Sequence, residues 1–130
     1  MRFIARCFRQ LGRDDLAAVW LHRAIAEAPH LREPYLEYAA LLHDNQNWTG
    51  AAYFADCALA ISERNETYIT EAEAWGALPW DYLSVALWHL GQRDKALDAC
   101  RRAAALAPED ERIKNNLAIL EQNAYNDAVS

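Results

Sequence analysis

Four histidines and three cysteines are the residues of this 130-residue chain best suited to hold a metal or attack an electrophile. His22, His30, His43 and His89 fall at no H-x-x-x-H or H-E-x-x-H spacing, so no helix face presents two imidazoles to one zinc ion. Cys7, Cys57 and Cys100 are an odd set without a C-x-x-C pair. They read as reduced thiols of a cytoplasmic protein rather than a disulfide framework or a metal site. There is no G-x-S-x-G elbow, no phosphate-cradling glycine loop and no paired Cys–His motif. Asp14 and Asp15 read as the acidic start of a helix. The expectation is therefore a non-enzyme, with no catalytic, cofactor-binding or metal-ligating residues and no cofactor.

The elements that would position any site are helices. Alanine, leucine, glutamate and arginine dominate, all good helix formers. Four glycines and four prolines leave little room for the turns of an all-β protein. The net charge of −6 argues against nucleic acid as a partner. That charge is uneven: residues 1–32 carry six arginines and three acids, a balance of +3, and the remainder balances at −9. No apolar run reaches the ~18–20 residues that span a bilayer, so no membrane partner is expected. The opening MRFIARCFRQLG lacks the unbroken apolar stretch of a signal peptide.

A repeat organises the chain. Counting 5, 12 and 17 residues on from Gly91 gives Ala96, Ala103 and Pro108; from Gly12 it gives Ala17, Ala24 and Pro29. A step of 34 residues from Gly12 reaches Gln46, followed by Ala51 and Ala58, with Glu63 where the proline would stand. Large residues recur eleven, eight and four before each anchor. A small one recurs seven before: Ala5, Ala39 and Ser84. Each unit reads as two antiparallel helices joined at the anchor, where glycine takes a positive φ. The small residues let the two backbones approach. One such hairpin cannot bury both faces, so copies stack.

In this register the chain resembles a tetratricopeptide repeat (TPR) domain. The resemblance implies an all-α, right-handed superhelical stack of hairpins at about 1–29, 32–62 and 77–108 in a single domain. A capping helix is expected at about 109–123, with residues 124–130 frayed. Between Gln46 and Gly91 the period is exceeded by 11 residues. The excess forms an insertion at about 63–76, in which Thr70 and Glu73 make a capping box before a short turn at Glu71–Trp75. The insertion brings Tyr68, Trp75 and Trp80, rings that either plug a wedge in the stack or offer a platform to a sugar or peptide.

TPR arrays commonly hold a protein or peptide in the concave groove lined by the first helix of each hairpin. By register the candidates here are Arg2, Arg6 and Arg9; Leu36, Ala40 and His43; and Asp81, Val85, Trp88 and His89. They describe a groove with a basic end and an apolar, aromatic middle, suited to an acidic or mixed segment. The Lys and Asn sites of the chaperone-binding carboxylate clamp hold Leu36, Glu37 and Ala40 instead, so a chaperone tail is not the expected ligand. The first helix spreads its apolar residues widely. It is expected to be covered on a second side, by an upstream domain of a longer protein or by a homodimer partner.

The segments PHLREPYLEYAALL, ETYITEAEAWGALPWDYLSVALWHLG and PEDERIKNNLAIL also resemble the TPR-like region that follows the catalytic domain of some bacterial family 2 glycosyltransferases. That likeness implies a non-catalytic interaction or scaffold module, the tail of a larger bacterial glycosyltransferase-related protein; a glycan- or nucleotide-sugar-binding accessory domain is the alternative. The D-x-D of the transferase domain is missing here.

Overall fold

The computed structural model describes residues 2–62 and 75–129, which form seven α-helices and no strand. They are α1 (Arg2–Gln10), α2 (Asp14–Glu27), α3 (Arg32–Asp44), α4 (Trp48–Ala60), α5 (Leu78–His89), α6 (Arg93–Leu106) and α7 (Glu111–Val129). Helices α1/α2, α3/α4 and α5/α6 are three hairpins in series, and α7 packs on the last. The capping box at Thr70–Glu73 and Tyr68 lie outside the described residues.

The three anchors are the three turns. Gly12, Gln46 and Gly91 have φ of 75°, 60° and 80°. Each closes its helix with the same pair of bonds. The anchor N–H donates to the carbonyl three residues back (Arg9, His43, Trp88), at 3.0–3.1 Å. The next N–H donates to the carbonyl five back (Phe8, Leu42, Leu87), at 2.8–3.0 Å. This is the Schellman arrangement, which satisfies carbonyls that a helix end leaves open. Asn47 then caps α4, its side chain accepting from Gly50 N–H at 3.0 Å.

The small residues lie in the seams. Ala17, Ala51 and Ala96 are wholly buried, and so, nearly, are Ala5, Ala39 and Ser84. Ser84 donates its hydroxyl to the Ala96 carbonyl at 3.0 Å, tying the two small positions of the third hairpin together. Leu42 and Phe54 pack against both the core of the first two hairpins and that of the second and third. The stack is therefore continuous across the long connection.

Helix α7 departs from expectation at both ends. It begins at Glu111, because Asp110 is its cap and accepts from Ile113 N–H at 3.2 Å. It continues to Val129, so the tail expected to fray is helical. The reason is that the tail has partners: Ala124 packs on Leu97, Cys100 and Leu120, and Arg93 reaches Asp127 at 3.5 Å. Ile113 and Leu120 of this helix are buried and Leu117 is half-buried.

Candidate functional site: the inner groove

Helices α1, α3, α5 and α7 succeed one another along one face of the stack, and each neighbouring pair is tied by a side-chain contact. Arg2 donates to Glu37 Oε1 through Nε at 3.1 Å and through a terminal nitrogen at 2.7 Å. Arg6 bonds the same oxygen, and Arg9 bonds Asp44. Across the next gap the His43 ring meets Tyr82 edge-on, with centroids 5.1 Å apart. At the last gap Arg112 forks onto the buried carboxylate of Asp81, with one of its two bonds 3.2 Å long. A bidentate pair of this kind fixes geometry as well as charge.

The basic end expected from Arg2, Arg6 and Arg9 is therefore met within the chain by Glu37 and Asp44. The spacing in sequence carries this pairing. Glu37 lies 35 residues after Arg2 and Asp44 lies 35 after Arg9, one repeat plus one residue, which sets side chains of adjacent hairpins face to face. Leu36, placed in the groove by register, is buried; Glu37 beside it meets the arginines. Asp81 is likewise buried under its ion pair.

The middle of the groove is aromatic. His89 lies flat on Trp48, centroids 4.0 Å apart and planes at 3°. His43 meets the same indole edge-on at 5.2 Å. Burial pushes the His43 imidazole below its ordinary pKa; Asp81 opposes this, and His89 and Arg112 add to it. The indole that gathers both histidines comes from the second helix of its hairpin. The groove register counts only first helices and therefore does not reach Trp48.

Val85, Trp88 and His89 do come together, in a cleft of about 240 Å³ between α5 and α7. Ser84, Asn116, Ile119 and Leu120 complete its lining. Trp88 and Ile119 keep 37% and 56% of their surface exposed, so the cleft presents two large apolar side chains to an incoming group. Asn116 and Ile119 stand one period after Tyr82 and Val85. The cap thus repeats the groove register, a role its polar composition concealed.

The two described rings of the insertion each carry a guanidinium. Arg32 lies over Trp75 at 4.0 Å from the centroid and also donates to the Ile61 carbonyl at 2.7 Å. Arg102 lies over Trp80 at 5.0 Å, and Trp80 packs partly buried against the core of the second and third hairpins. Among the described residues no cluster of three His, Cys, Asp or Glu is placed to hold a metal ion. No described helix is long and apolar enough to cross a membrane.

Residues 77–110 match the tetratricopeptide repeat family, and they coincide with the third hairpin. No curated protein matches the chain. Among solved structures the chain is similar to the first TPR domain of the human RPAP3 protein, at 16% identity and a TM-score of 0.77. The match covers 99% of this chain and 93% of that one. A single repeat recognised in sequence and a whole-chain likeness in structure lead to one conclusion: this chain has the fold of a TPR domain.

Proposed function

We propose that the chain is a non-catalytic interaction module that holds a protein or peptide segment in its inner groove. The segment seats an apolar side chain between α5 and α7. The observation that carries this reading is the cleft lined by Val85, Trp88 and Ile119. It is concave and largely apolar, and the His89 ring and Asn116 amide stand at hand to orient a backbone, the usual composition of a binding site. Indoles in such clefts are the common anchors of protein interfaces. The arginines at the other end are engaged by Glu37 and Asp44 and take no part in seating it. The TPR fold is typical of protein–protein interaction modules, though one fold serves many partners.

The test is a peptide-display selection on the immobilised chain, with Trp88→Asp and Ile119→Asp as parallel targets. Peptides enriched on the parent should carry a large apolar residue and be lost on both variants. Enrichment that survives both substitutions would overturn the reading.

The likeness of residues 29–120 to the regions that follow some bacterial glycosyltransferase domains supports a finer placement, as the companion of a sugar-transfer enzyme in the cytoplasm. A glycan platform on the insertion is the weaker reading. Arg32 and Arg102 already cover a face of Trp75 and Trp80, and a sugar would have to displace them.

A further inference from the structure

The outer side of the stack holds a second recess, independent of the inner groove. It lies between α4 and α6 and measures about 700 Å³. Its floor is apolar, with Ala52, Leu83, Leu87 and Ala99 all buried beneath it. Its rim carries Asp56, Asp94 and Asp98 against one lysine, Lys95; Asp98 also faces Arg102 at 3.3 Å. An apolar floor inside a mostly acidic rim suits an apolar plug inside a basic collar.

The chain carries such a plug. On α1 and the turn after it, Phe3, Ile4 and Leu11 are exposed by 76%, 38% and 74%. They fall within an arc of about 100° on an ideal helix. From Arg2 to Arg13 there are four arginines and no acid. Arg6 and Arg13 remain half-exposed even while they contact Glu37 and Asp15. Plug and recess lie in different hairpins, so they are complementary between copies.

We propose that two copies of this chain associate head to side, with the Phe3–Leu11 face of one seated in the α4–α6 recess of the other. Such a contact is heterologous: it uses a different surface on each partner and leaves one of each free to bind again. Opposite charge around an apolar centre steers and aligns the encounter, and salt weakens it.

The experiment is sedimentation equilibrium of the chain over a concentration series, with the Phe3→Glu variant and the Asp56→Lys/Asp98→Lys variant. Circular dichroism would verify that each is helical and melts cooperatively. The parent should rise above the 14.8 kDa of one chain, less so at high salt, and each variant alone should stay at one chain. Mixing the two variants restores one intact plug opposite one intact recess, so the mixture should form a 1:1 complex. A parent that stays at one chain throughout would overturn the proposal. So would a rim variant that associates as the parent does, or a variant mixture that shows no complex.

Discussion

At Gln46 a side chain occupies a backbone conformation that its two counterparts give to glycine. A Cβ in the left-handed region costs roughly 1–2 kcal/mol. A Cβ at Gly12 or Gly91 would meet nothing within 4 Å, so the cost of adding one there is that of the backbone alone. Gly91→Ala should therefore destabilise by about 1 kcal/mol. Gln46→Gly should stabilise, by less than that, because glycine also frees the unfolded chain. Urea midpoints of the two variants check both signs together. His43 supplies a second test at this scale. Its imidazole is held below the ordinary value of 6.5, chiefly by burial. The unfolded chain then takes up the proton more readily as pH falls through about 6.5. Stability contributed by the neutral ring is full above that value and is lost on acidification toward the folded pKa. The melting temperature should drop more steeply from pH 7 to 5 in the parent than in His43→Phe. Parallel profiles would show that His43 carries no such linkage.

At the scale of the helices, the seams make the sharpest prediction. Ala96 is wholly buried and its carbonyl accepts from Ser84 across the hairpin. Ala96→Leu should overpack that seam and cost on the order of 1–3 kcal/mol, read as a lower denaturation midpoint; an unchanged midpoint would contradict the packing described. These seams were legible in sequence because a close backbone approach admits only a small side chain, and small residues at fixed offsets leave a countable trace. The same logic located the three turns, even at Gln46, where glycine is absent. What the sequence concealed was pairing between helices. Arg2, Arg6 and Arg9 read as a free basic face because their partners, Glu37 and Asp44, stand a full repeat away. The length of α7 was concealed for a similar reason. Residues 124–129 have weak local preference, and their helix is held by Ala124 on α6 and by Asp127 opposite Arg93.

For the molecule as a whole, the groove divides along its length. At α1 and α3 it is crossed by the chain's own ion pairs. At α5 and α7 it opens onto Trp88 and Ile119. Fully burying one large apolar side chain is worth roughly 1.5–3 kcal/mol, so the open half is where a partner gains most. The most direct test is an amide NMR titration of the chain with a peptide selected on it. Shifts should gather on Val85, Trp88, His89, Asn116 and Ile119, and leave Arg2, Arg6 and Arg9 unmoved. Shifts that gather on α1, or on the outer face between α4 and α6, with the α5–α7 cleft silent, would contradict the account.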